Sequence, residues 1–183
     1  MVQPRPRAAV VVAHPDDEAM WGVSYPLRQS GFAWTVIICS TPEHDPQRIL
    51  SARRSCEILK CNLIVLEEQT RGALTFPDLD LTPYTFIVTH NSKGEYGHKQ
   101  HIQVHERVRR AGKPYVCFGY GYQNPHTRIM LTPEETATRI QALKCYDYKA
   151  KWDGGHVKAD ALIETYHGND WKSLSRESYV LSG

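Results

Sequence analysis

The chain has 183 residues, 41% of them hydrophobic, which is enough for one domain-sized core and excludes a disordered or fibrous chain. Lys and Arg number 22 against 20 Asp and Glu, a formal charge of +2, so there is no broad basic field and no strong nucleic-acid signal. The five cysteines (39, 56, 61, 117 and 145) contain no Cys-x-x-Cys pair and lie in apolar or helical stretches, which predicts reduced thiols in a cytoplasmic protein.

Met1 to Arg7 is rich in Pro and Arg and is expected to be flexible. The apolar stretch behind it, Ala8 to Ala13, has six residues, too few for a signal peptide or a membrane span. That stretch is rich in β-branched residues and predicts a strand buried on both faces of a parallel sheet. A helix is expected from Asp17 to about Ser30, kinked by Pro26 and closed by Gly31, and a second strand over Trp34 to Cys39. Strand, helix and strand in so few residues form a βαβ unit. The alternation continues with a helix over Gln47 to Lys60, a strand over Leu63 to Leu66, a strand over Tyr84 to Thr89, a polar loop from His90 to Gly97, a helix over His98 to Arg110 and a strand over Pro114 to Phe118. Thr132-Pro-Glu-Glu135 is a strong helix start, with Thr at the N-cap, Pro at N1 and Glu at N3, and this helix is expected to reach about Tyr148. A helix near Ala159 to Tyr166 and an edge strand at Tyr179 to Leu181 complete the reading. The whole describes a Rossmann-like, doubly wound α/β fold with a mostly parallel sheet, a single domain over residues 1–183.

In such sheets ligands bind beyond the carboxyl ends of the strands. Two polar clusters follow apolar runs there, His14-Pro-Asp-Asp-Glu18 and Glu95-Tyr-Gly-His-Lys-Gln-His101. Three acids at a buried strand end repel one another and are costly to desolvate unless something cationic compensates, and a divalent metal is the simplest candidate. His14 and Asp17 can reach one ion across a tight turn while Asp16 points elsewhere into the site. An acidic first turn of a helix would explain Asp17 and Glu18 but gives no reason for His14 and Pro15. His98 and His101, three apart at a helix start, share a face and can supply a further ligand. His105, one turn on, reads as packing behind the site more readily than as a ligand. Two histidines and one carboxylate with an open position describe a catalytic zinc site.

Ala13-His-Pro-Asp-Asp-Glu18 resembles the signature of the PIG-L/LmbE-like zinc-dependent N-deacetylases, and His98-Lys-Gln-His101 falls where that family carries its second His-x-x-His motif. Arg54-Ser-Cys-Glu57, Thr89-His90, Tyr146 and Glu177-Ser-Tyr179 extend the resemblance over most of the chain. It implies one Zn²⁺ per chain held by His14, Asp17 and His101, with Asp16 as general base. It also implies that Tyr96 polarises the substrate carbonyl and that His98 stabilises the oxyanion or protonates the departing amine. Arg54 and Glu18 are expected at the substrate, Glu18 as a group that orients His14 or a ligand. The family often has Pro-Asp between the second pair of histidines, where this chain has Lys99 and Gln100, so the partner that orients these rings must come from elsewhere.

The resemblance implies a metal-dependent hydrolase of linear amides that deacetylates an N-acetylglucosamine-type sugar conjugate. Small-molecule and glycoconjugate substrates both suit it. Two alternatives are the same zinc chemistry on a non-sugar amide, and a silent metal-binding accessory protein. Aromatic residues at Tyr115, Phe118, Tyr120, Tyr122, Trp152 and Trp171 could stack on sugar faces, although aromatics at strand ends belong mostly to the core.

Overall fold

A computed structural model describes residues 4–22, 24–40, 46–66, 72–76, 78–120, 125–149, 156–157 and 176–181. The expected helix at 159–166, together with Tyr122, Trp152 and Trp171, lies outside them. β1 (Arg7–Val12) lies inside a seven-stranded sheet, third in the strand order. On one side it pairs in parallel with β2 (Ala33–Ile38), which pairs in parallel with β3 (Asn62–Val65). On the other it pairs in parallel with β4 (Phe86–Thr89), and β4 pairs likewise with β5 (Tyr115–Phe118).

Because β1 is an interior strand covered on both faces, alternate residues enter two different cores. Ala8, Val10 and Val12 pack towards α1 (Asp17–Trp21), α3 (Pro46–Ile58) and α6 (Pro133–Lys144), through Met20, Trp21, Ala52, Cys56, Ala142 and Leu143. Ala9, Val11 and Ala13 face Val104 and Val108 of α5 (Lys99–Arg110), with Leu74, Leu79, Leu81 and Tyr84. Each strand end at the carboxyl edge therefore emerges between packed layers, and β1 and β4, being parallel neighbours, deliver Ala13 and His90 side by side.

Four expectations are corrected. The helix expected from Asp17 to Ser30 is two short helices, α1 and α2 (Ser24–Arg28), and the break falls at Gly22 instead of Pro26. A Cβ on Gly22 would lie 2.9 Å from the Phe118 ring, so the bare backbone lets β5 pack close at the turn. Pro26 sits in the first turn of α2, where it costs no hydrogen bond. α6 stops at Lys144, not Tyr148, because Tyr146 turns inward to a buried carboxylate and the chain enters β7 (Tyr148–Lys149), which pairs with β8 (His156–Val157). The strand expected at the edge, β9 (Arg176–Leu181), lies inside the sheet, antiparallel to both β5 and β6 (Thr127–Met130). β6 is the edge on that side of the sheet. Its four residues alternate between half-buried and exposed, too short a pattern to stand out in the sequence. The expected loop from His90 to Gly97 contains the short kinked turn α4 (Gly94–Gly97).

Candidate metal and catalytic site

The site is built at the carboxyl ends of β1 and β4. After Ala13 the chain turns through Asp16, whose φ of 108° lies in the left-handed region that non-glycine residues rarely occupy. Glu18 supports this turn from beneath: its Oε2 accepts the Asp16 backbone N–H (3.0 Å), and its Oε1 accepts the hydroxyls of Ser55 (2.7 Å) and Tyr146 (2.6 Å). Burial pushes the Glu18 carboxyl up to about 7, with the two hydroxyls pulling it back. At 1% exposure Glu18 is a buried brace under the turn; it does not line the chamber where a substrate would lie, contrary to the expectation.

Asp17 points the other way. Its Oδ1 accepts the Trp21 indole N–H (3.2 Å), and its Oδ2 accepts the His14 backbone N–H (2.8 Å). The same Oδ2 lies 3.3 Å from His14 Nδ1 and 3.4 Å from His101 Nε2, and these two nitrogens are 3.2 Å apart. Burial opposes charge on Asp17, but the His101 and His90 imidazoles outweigh it and hold the carboxyl well below its usual range. Three donor atoms thus stand at nearly equal separations.

Each ring is held by its second nitrogen. His14 Nε2 is 2.6 Å from Gln100 Oε1, and Gln100 Nε2 donates to the Gly72 carbonyl (3.0 Å). His101 Nδ1 is 2.6 Å from Glu95 Oε2. These partners require the ring proton on His14 Nε2 and on His101 Nδ1, which turns the lone pairs of the other two nitrogens towards Asp17. Gln100, without a carboxylate, still orients a ring through its amide oxygen, though the ring belongs to His14.

His90 accepts the Ala13 N–H at Nε2 (2.9 Å), stacks on His101 with centroids 3.8 Å apart, and places Nδ1 2.8 Å from Glu95 Oε2. Burial works against charge on His90, while the Glu95 and Asp17 carboxylates, 2.8 Å from Nδ1 and 3.4 Å from Nε2, pull the other way. The Ala13 N–H aimed at Nε2 requires a free lone pair there, so we assign the neutral ring with its proton on Nδ1. His105 lies one turn deeper in α5 and donates from Nδ1 to the His90 carbonyl (3.0 Å), behind the site.

Among the described residues, His14, His98 and His101 could share a metal ion, and so could Asp17, His90 and His101. His90 Nε2 is already committed to Ala13. His98 caps α5 in extended conformation, its ring 4.7 Å from His14 and 4.6 Å from His101, with a buried Nδ1 that has no hydrogen-bond partner among the described residues. Burial and the neighbouring imidazoles of His14 and His101 push His98 down to about 4, so it is neutral at neutral pH.

A chamber of about 70 Å³ is lined by His14, Asp16, Asp17, Met20, Trp21, Arg48 and Tyr96. Tyr96, 45% exposed, also borders an open cleft of about 640 Å³ that runs past His98, Lys99, Gln100 and Gln103 to Gly72 and Ala73. Arg48 meets Asp16 Oδ2 at 2.5 Å and donates from Nε to the Pro15 carbonyl (2.9 Å). Burial raises the Asp16 carboxyl and Arg48 counters it. Arg54, expected at the substrate, stands exposed further along α3 and does not line the chamber; the arginine that reaches it is Arg48. Phe118 is fully buried against His90, while Tyr120 packs on Trp21 with centroids 4.8 Å apart.

No family model matches the sequence and no curated protein matches it. Solved structures do. The conserved protein TT1542 from Thermus thermophilus superposes with a TM-score of 0.66 at 15% identity, over 96% of this chain and 94% of that one. The A40926 pseudoaglycone deacetylase Dbv21 gives 0.63 at 15% identity, over 97% of each chain. The chain has the LmbE-like fold. The 4-carboxy-2-hydroxymuconate hydratase GalB from Pseudomonas putida KT2440 is similar too, at 0.60 and 14% identity over 95% of each chain. The LmbE-like fold therefore carries more than one reaction, and chemistry has to be argued from the side chains. No helix among the described residues is long and apolar enough to cross a membrane.

Proposed function

We propose that the protein is a zinc-dependent hydrolase that removes an acetyl group from an N-acetylated amine, its substrate an N-acetylglucosamine-type sugar conjugate. The observation that carries this reading is the triangle of His14 Nδ1, Asp17 Oδ2 and His101 Nε2, with sides of 3.2, 3.3 and 3.4 Å. A tetrahedral zinc with nitrogen and oxygen ligands at about 2.0–2.1 Å separates those ligands by roughly 3.3–3.4 Å. Two imidazole lone pairs and one carboxylate oxygen fit such an ion, and these three residues would hold it. When bound, zinc supplies Lewis acidity and a strong nucleophile at neutral pH.

Asp16 shares the chamber with these ligands, and we assign it as the base that takes the water proton. Arg48 keeps its carboxylate oriented. As the water oxygen adds to the amide carbon, charge collects on the former carbonyl oxygen, and Tyr96 at the rim and neutral His98 are the groups available to it. The C–N bond then breaks, the amine leaves with the proton Asp16 had taken, and acetate remains. The open cleft beside Tyr96, with Lys99, Gln100 and Gln103 among its lining, supports an extended, hydroxyl-rich substrate. Two of the similar structures bear on the choice of reaction, one being a deacetylase and the other a hydratase.

The test is acetate release from N-acetylhexosamine conjugates by metal-loaded and chelator-treated protein. Release that stops with chelator is expected. Zinc binding without release from any amide, sugar or not, would leave the metal-binding accessory reading.

A further inference from the structure

The loop between β4 and α5 contains a buried carboxylate with no part in the chemistry proposed for Asp16. Glu95 is fully enclosed, and its backbone lies at φ 57°, ψ −74°, between Gly94 (φ 64°) and, after Tyr96, Gly97 (φ 91°). A non-glycine residue in the left-handed region persists only where its surroundings over-determine it. Here they do. Glu95 Oε1 accepts the Asn91 backbone N–H (3.0 Å), while the single oxygen Oε2 faces two imidazoles, His101 Nδ1 at 2.6 Å and His90 Nδ1 at 2.8 Å. Asn91 locks the loop to the next strand by donating to the Phe118 and Tyr120 carbonyls (2.8 and 3.0 Å).

These contacts form one chain across the site. It starts at the Ala13 N–H, enters His90 at Nε2, leaves from Nδ1 to Glu95 Oε2, and returns through His101 Nδ1 to His101 Nε2 beside Asp17. We propose that Glu95 and His90 are positioning residues that together set the tautomer and aim of His101 as a metal ligand, tying the second motif to the end of β1. A carboxylate behind a ligating imidazole makes the ring a better ligand and fixes its orientation. In this chain Glu95 supplies that carboxylate from before the His-x-x-His pair, and Gln100, within the pair, turns to His14 instead. His90 has a separate part: its ring stacks on His101, and by giving Glu95 a second N–H it holds Oε2 between the two rings.

The inference rests on the metal site proposed above, and its test separates the two. Zinc affinity would be measured for wild type and for Glu95→Gln by competition with a chromophoric chelator, at fixed pH. The tautomers of His90 and His101 would be read in the metal-free wild type from two-bond ¹H–¹⁵N correlation spectra. The expected result is a fall in zinc affinity of about 10- to 100-fold in Glu95→Gln, with both rings carrying their proton on Nδ1 in the metal-free wild type. An Nε2–H tautomer at His101, or a folded Glu95→Gln protein that binds zinc within about twofold of wild type, would overturn it. A wild type that binds no zinc yet shows both Nδ1–H tautomers would sink the metal reading and leave the relay standing.

Discussion

Asp16 and Glu95 are the two non-glycine residues of the site with a positive φ, and Asp16 is the one in the catalytic chamber. It takes a left-handed backbone angle, its N–H is held by Glu18, and its carboxylate is held by Arg48. Strain of this kind costs on the order of 1–3 kcal/mol and has to be offset by surrounding contacts. The Glu18 hydrogen bonds to Ser55 and Tyr146 provide them from α3 and from the end of α6. Tyr96 is the opposite case, a half-exposed ring at the rim of the chamber, set edge-on to His98 and His101. Tyr96→Phe should therefore leave the fold and metal content intact and lower kcat by about 10²- to 10³-fold, the usual cost of losing one oxyanion donor. Steady-state kinetics would check this, and a kcat unchanged within about twofold would remove Tyr96 from the chemistry.

At the scale of elements, short helices are made stable by their ends. α6 has the full capping box: Thr132 Oγ1 accepts the Glu135 N–H, and Glu135 Oε2 accepts the Thr132 N–H. Glu135 also pairs with Arg28 of α2 at 2.6 Å, and Arg28 reaches the Met130 carbonyl on β6, so one exposed cluster joins three elements. The hydrogen bond from Arg28 is the main reason the Glu135 carboxyl is lowered. A carboxyl lowered by folding contributes stability that is present above its unfolded pKa of about 4.3 and is lost as pH falls through the folded value. Glu135→Gln keeps the capping geometry and removes the charge, so it should cost about 0.2–1 kcal/mol at pH 7. Thermal unfolding across pH should show that deficit vanish in acid, and a deficit that is constant with pH would contradict it. The capping box could be read directly from Thr132-Pro-Glu-Glu135, because every participant lies within four residues.

At the scale of the molecule, the parallel sheet is what gathers the site. The first motif could be read because its residues are contiguous and follow a buried strand immediately, so position in the chain nearly determines position in space. Arg48, Glu95, His90 and Gln100 could not be assigned in the same way. Arg48 is one of several arginines on α3, and only the entry angle of that helix decides that it, and not Arg54, meets Asp16. Glu95 and Gln100 take their partners from the path of a loop with three left-handed residues, which no hydrophobic period encodes. β6 and the break at Gly22 were hidden for a related reason, since each depends on what packs against it.

The central claim is that His14, Asp17 and His101 hold a metal and that Asp16 beside it takes the proton of the attacking water. It is tested most directly by measuring metal content and acetate release on the same preparations of wild type, Asp16→Ala and His101→Ala. The account predicts about one zinc per chain with release in the wild type, undiminished zinc with no release in Asp16→Ala, and loss of both in His101→Ala. Full zinc content in His101→Ala, or continued release by Asp16→Ala, would contradict it.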